Sequence, residues 1–112
     1  MGGSQGKLAL QGWSLTNRIV YRRSAANDLD EAVSWYEAQR PGLGAEFLSA
    51  IEAAIGQLHE TPEKFPVVHG DVRRVRARRF PYSIYFRVRT AQVVVVAVFH
   101  ARRDPSVWKR RV

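Results

Sequence analysis

The residues able to do chemistry crowd the second half of this chain. Arg73, Arg74, Arg76, Arg78 and Arg79 run into Phe80-Pro81-Tyr82, and Tyr85, Arg87, Arg89, His100, Arg102 and Arg103 follow. An imidazole titrating near neutrality, two phenols and a set of guanidinium groups are the ingredients of proton transfer beside a stabilised anion. The same guanidinium groups serve equally to bind a polyanion. Residues 61–112 hold 13 Lys/Arg against 3 Asp/Glu, a balance of +10, whereas residues 1–60 hold 5 against 7, a balance of −2. Together these give the net charge of +8. So one-signed a second half points to an acidic protein, to nucleic acid, or to both in turn.

Each candidate also has a structural reading. His100 is either a catalytic imidazole or a strand-end histidine satisfied by backbone or a carboxylate. The arginines at 73, 74, 76, 78 and 79 either bind a partner or form a solvated edge strand that uses charge against sheet-to-sheet aggregation. Trp35 and Tyr36 read as core and hairpin packing rather than as a base-stacking platform. Arg102, Arg103 and Trp108, beyond the last strand, either contact a target or close a tail over the core. His59, His69 and Asp71 match no zinc spacing, and Gly42 and Gly44 do not follow a strand as a phosphate loop requires. No metal or cofactor is expected.

The elements that must position these groups follow from periodicity. Residues 17–23 alternate as a short strand, with Ile19 and Tyr21 on one face. Ser24 stands where a helix N-cap would, and Ala25, Leu29, Ala32, Val33 and Tyr36 form one helical face until Pro41-Gly42. A second helix over about 43–58 carries Leu43, Phe47, Leu48, Ile51, Ala54, Ile55 and Leu58. The short connection predicts an antiparallel helical hairpin. Three strands follow: 73–79, with Arg74, Arg76 and Arg78 opposed to Val75 and Ala77; 82–89, with Tyr82, Ile84, Phe86 and Val88 on one side and Ser83, Tyr85, Arg87 and Arg89 on the other; and 93–99, apolar throughout as a central strand must be. The expected fold class is α+β, in the order β-α-α-β-β-β. The hairpin is expected on one side of a twisted, mainly antiparallel four-stranded sheet.

The chain has 112 residues, 46% of them hydrophobic and none a cysteine, which predicts one domain with a real core and no disulfide or thiolate metal site. Residues 1–16 read as a flexible Gly/Ser-rich extension and 17–112 as the folded domain. There is no basic stretch leading into an apolar run of leader length and no membrane-length apolar run, so the cytoplasm is the expected compartment.

Several segments taken together carry a family resemblance: Ala26-Asn27-Asp28-Leu29-Asp30-Glu31-Ala32, Trp35-Tyr36-Glu37, Arg40-Pro41-Gly42-Leu43-Gly44 with Phe47-Leu48, Pro62-Glu63-Lys64-Phe65-Pro66, Arg79 to Phe86, and Ala97 to Trp108. In number, order and spacing they resemble the RelE/ParE superfamily of type II toxin–antitoxin toxins, on the ParE-like, plasmid-stabilisation side. The resemblance spans 17–112. It implies a bacterial growth-inhibiting toxin, neutralised in a hetero-oligomer by a cognate antitoxin whose acidic, apolar-anchored segment folds onto it.

The resemblance leaves two chemistries to separate. RelE-like members cut messenger RNA on the ribosome, and ParE-like members act on DNA gyrase without being nucleases. Cleaving RNA through its own 2′-OH needs a proton acceptor, a donor to the leaving oxygen and cations for the phosphorane. His100 falls where one relative's catalytic histidine lies, but the tyrosine that follows it there is Ala101 here. Tyr82 fills the strand position of an expected catalytic arginine, and residues 73–100 contain no lysine. The set His100, Arg79, Tyr82 and Tyr85 is an incomplete ribonuclease constellation. The expected function is therefore gyrase inhibition, with a ribosome-dependent endoribonuclease as the alternative. Arg73, Arg74, Arg76, Arg78, Arg79, Arg87, Arg102, Arg103 and Trp108 are the expected target or antitoxin contacts.

Overall fold

The computed structural model describes residues 17–112, so the expected extension over 1–16 lies outside the described residues. The chain forms β1 (Arg18–Tyr21), α1 (Arg23–Gln39), α2 (Leu43–Gly56), a 3-10 turn at Pro62–Lys64, β2 (Val67–His69), β3 (Val72–Arg76), β4 (Tyr82–Arg89), β5 (Gln92–His100) and α3 (Ser106–Lys109). The sheet order is β1-β5-β4-β3-β2. β1 runs parallel to β5, and every other pair is antiparallel.

The α+β class and the two main helices match expectation, but the sheet has five strands rather than four. The extra strand, Val67–His69, is three residues long and sits between Pro66 and Gly70, too short to show an alternation. It occupies the edge, so the arginine-bearing β3 is an inner strand. β3 is also shorter than expected. It ends at Arg76, and Arg78 and Arg79 lie in the turn before β4, where Arg79 takes a left-handed φ of 71°. Ser24 lies inside α1 and caps nothing; Arg22 precedes the helix without a side-chain cap.

The hairpin turn is held by one carboxylate. Glu37 near the end of α1 accepts hydrogen bonds from the backbone N–H of Gly42 (3.0 Å) and Gly44 (3.0 Å), which caps the start of α2. Gly42 turns the chain with a φ of 90°. At Gly44 the helices cross so closely that a Cβ would lie 2.9 Å from the Val33 carbonyl oxygen.

Both faces of the sheet are covered, by different means. On the helix side Phe47, Ile51, Leu58, Ile84, Phe86, Val93 and Val95 are fully buried in one cluster. On the other side Val72, Val96, Ala97, Phe99 and Trp108 form a smaller one. A bulge makes the second cluster possible. Tyr85 pairs with Ala97 but Phe86 with Val95, so Val96 is the extra residue, and both Val96 and Ala97 join the α3 side.

Candidate functional site

The expected contact arginines divide into two groups according to what they touch. Arg73 donates to the carbonyls of Glu63 (2.9 Å) and Phe65 (2.6 Å) and so ties the 3-10 turn to β3. Arg79 reaches back to Glu46 on α2 at 3.1 Å, and Arg40 meets the other oxygen of that carboxylate at 3.2 Å. Arg87 and Arg89 converge on Asp71 at 2.8 and 3.0 Å. Arg103 lies over the Phe99 ring at 4.0 Å and 3.7 Å from Asp28. Hydrogen bonds from Arg40 and then Arg79 hold the Glu46 carboxyl below its usual range, and Arg89 and Arg87 do the same for Asp71.

Arg74, Arg76, Arg78 and Arg102 form no ion pair and no side-chain hydrogen bond among the described residues. Three of them follow one path. Arg76 and Arg78 rim a depression of about 490 Å³ between α2 and β3, floored by Ala50, Ala53, Ala54, Phe65 and Val75. Arg74 and Arg76 line a second one, of about 410 Å³, which wraps the end of the sheet beside Tyr82, Ser83 and Tyr85. Arg74 also borders a third, of about 280 Å³, with Tyr85, Trp108 and Lys109. Arg76 is common to the first two depressions and Arg74 to the last two. An apolar groove on the helix side thus continues past β3 onto a cationic shelf on the α3 side.

The acid/base candidates come together only in part. Tyr82 and His100 face each other across β4 and β5, with ring centroids 5.2 Å apart at 80°. His100 Nδ1 accepts the Arg102 backbone N–H at 3.0 Å, which leaves the imidazole proton on Nε2 in the neutral ring. Tyr82 packs on the helix side against Phe47 at 4.8 Å, and burial is the first cause that raises its phenol above the ordinary tyrosine value. Tyr85 lies on the other face, stacked on Trp108 at 4.3 Å and 25°. Arg79 is engaged with Glu46 at the hairpin. Tyr82 and Tyr85 nonetheless both border the 410 Å³ depression, and Tyr85 and His100 the 280 Å³ one, so only Arg79 is held well apart from the rest.

Trp108 is 2% exposed and closes the second face of the sheet, and its indole Nε1 has no hydrogen-bond partner among the described residues. Tyr36 packs between Phe47, Phe80 and Tyr82 as expected of a core residue. Trp35 does not: it is 58% exposed and meets Tyr36 edge-on. Among the described residues no group of three or more His, Asp or Glu could hold a metal ion. No helix among them is long and apolar enough to cross a membrane.

One organising residue escaped the sequence reading. Asp28 is buried in α1, accepts the Val98 backbone N–H at 3.0 Å and receives both terminal nitrogens of Arg111 at 2.7 and 3.0 Å. Arg111 in turn lies 5.1 Å from the centre of the Phe99 ring, so the C-terminal segment is latched to the first helix. The signal was present. Asp28 falls three residues after Ala25 and four before Ala32, inside the apolar stripe, where a lone carboxylate requires a buried partner.

Comparison with known proteins agrees with this architecture. Over 75% of this chain and 95% of the other, the structure is similar to one titled as the chromosomal ParDE system of P. aeruginosa, with 22% identity and a TM-score of 0.68. A chain of the RelBE2 toxin–antitoxin complex of Mycobacterium tuberculosis is similar over 77% of this chain and 92% of that one, at 22% identity and a TM-score of 0.54. At such identities these likenesses speak for the fold. No curated protein matches the sequence. The family described as ParE toxin of type II toxin-antitoxin system, parDE, matches residues 19–105, most of the domain. The chain therefore belongs to the ParE toxins of type II toxin–antitoxin systems.

Proposed function

We propose that this chain inhibits bacterial growth from the cytoplasm by binding DNA gyrase, without bond-making chemistry of its own, and that a cognate acidic antitoxin neutralises it. The observation that carries the choice of binding over catalysis is that each member of the acid/base set is engaged by an internal contact. A proton acceptor and a donor must reach one scissile group within hydrogen-bond distance. Here Tyr85 is stacked on Trp108, Tyr82 is packed against Phe47, His100 Nδ1 is taken by the Arg102 backbone N–H, and Arg79 is drawn away to Glu46.

The antitoxin reading is supported by the unpaired Arg74, Arg76 and Arg78 along a track that starts in an apolar groove. A segment with small apolar anchors followed by acidic residues would meet that order of surfaces. Arg102 and Arg103, at the end of β5, are the proposed target contacts. The deciding experiment induces the chain in bacteria and compares DNA supercoiling and replication with translation and mRNA integrity. Gyrase inhibition predicts loss of supercoiling with intact mRNA, and growth arrest that survives His100→Ala.

One observation favours the second reading, a ribosome-dependent endoribonuclease. His100 and Tyr82 face one another, and the Nδ1 acceptor role fixes the imidazole tautomer. That mechanism predicts mRNA cleavage on induction and its loss in His100→Ala with the fold intact.

A further inference from the structure

We infer that the outer face of α1 is a second interaction surface, opposite in sign to the arginine track, which takes a Lys or Arg side chain of the protein target over Trp35 and against Glu31. Glu31 and Trp35 are four residues apart, so they stand one above the other on the same face of α1. Both line a notch of about 220 Å³ that reaches inward to Tyr82 and His100 at the end of the sheet. Trp35 is the most exposed large hydrophobic side chain among the described residues, at 58%. Its ring is braced at right angles by Tyr36, which is itself wedged against Phe47 and Phe80. The indole thus stands in solvent against a packed neighbour, and tryptophan is enriched among the anchors of protein interfaces.

The chemistry of the occupant follows from the neighbours. This chain places its own cations over aromatic rings repeatedly: Lys64 over Phe65, Arg79 over Phe80, Arg103 and Arg111 over Phe99, and Lys109 over Trp108. Among the described residues none lies over Trp35, although indole is the best of the ring types for such a contact. The exposed carboxylates beside it, Asp30 and Glu31, form no ion pair among the described residues. Arg103, the cation lining the notch, is turned to Asp28 and the Phe99 ring. An aromatic face one helical turn from an unpaired carboxylate suits a guanidinium or ammonium group from outside. It repels the acidic segment assigned to the arginine track, so the two contacts are separable.

The inference rests on the toxin reading for the identity of its partner, and two measurements keep the two apart. The first compares growth arrest on induction of the wild-type chain, Trp35→Ala, Trp35→Phe, Glu31→Lys and Glu31→Gln, with thermal unfolding of each purified variant. Arrest should fall by about tenfold in Trp35→Ala and Glu31→Lys, and less in Trp35→Phe and Glu31→Gln, at wild-type stability. Equal arrest by all five overturns the target contact. The second titrates the purified protein with triarginine peptide and follows the Trp35 indole N–H by NMR. A shift present in the wild type and absent in Glu31→Lys supports the cation site, and an unmoved resonance overturns it. Absence of arrest by the wild type would instead refute the toxin reading, and the peptide titration would still decide the site.

Discussion

The two faces of the sheet are closed by covers of very different weight. Beneath the helices, Phe47, Ile51 and Leu58 of the hairpin meet Ile84, Phe86, Val93 and Val95 in a layer with no exposed member. The opposite face is closed at its centre by Trp108 on the four-residue α3, which is held down by the Arg111–Asp28 latch. Ion pairing does not follow the two faces: Arg87 on the thinly covered side is paired with Asp71, and Arg79, Arg103 and Arg111 with Glu46 or Asp28, whereas Arg74 and Arg76 have no ion pair among the described residues. Stability thus resides mainly under the helices, and the arginine track that reaches the α3 side is the proposed partner surface.

Truncation beneath the helices should destabilise the fold most. Phe47→Ala removes a fully buried ring that packs on Tyr36, Phe80 and Tyr82, and should cost about 3–5 kcal/mol. Chemical denaturation would detect it as a lowered midpoint with an unchanged slope. Asp28→Asn should cost about 3 kcal/mol, the lower end for breaking a buried ion pair, because the Arg111 side chain keeps 19% of its exposure to water. Its specific sign is faster amide exchange over residues 106–112 than over β4. Equal protection of both segments would mean that the latch does not hold the cover.

Alkaline titration probes the helix side more gently. Burial raises the phenols of Tyr21, Tyr36 and Tyr82, so the unfolded chain ionises them first. Their contribution is fully present below about pH 10 and is lost as pH rises through the higher folded values. The denaturation midpoint should therefore fall above that pH, and less so in Tyr82→Phe. The smallest stability effect belongs to the arginine track. Arg74→Gln with Arg76→Gln should change stability by less than about 0.5 kcal/mol, since neither side chain has an internal ionic partner among the described residues, yet weaken capture of an acidic peptide. Unchanged peptide capture would sink the division of labour between the two faces.

Much of this was legible in the chain. The facing of β4, with Tyr82, Ile84, Phe86 and Val88 inward and Tyr85 and Arg87 opposite, followed from a period of two. The hairpin followed from two apolar stripes and Pro41-Gly42. Trp35 was misread because it adjoins Tyr36. Neighbouring helical residues point about 100° apart, so an aromatic pair cannot both lie at the centre of one buried face.

Local order along the chain determined the two long helices and the four longer strands, which side chains share a face within them, and that the second half carries the positive charge. Whether a given guanidinium is engaged was decided only by folding. Arg79 and Glu46 are 33 positions apart, and Arg111 and Asp28 are 83 apart. Periodicity reports the neighbours a residue has within its own element. These two ion pairs form between elements brought together by burial of their apolar faces, so no short window of sequence contains both partners.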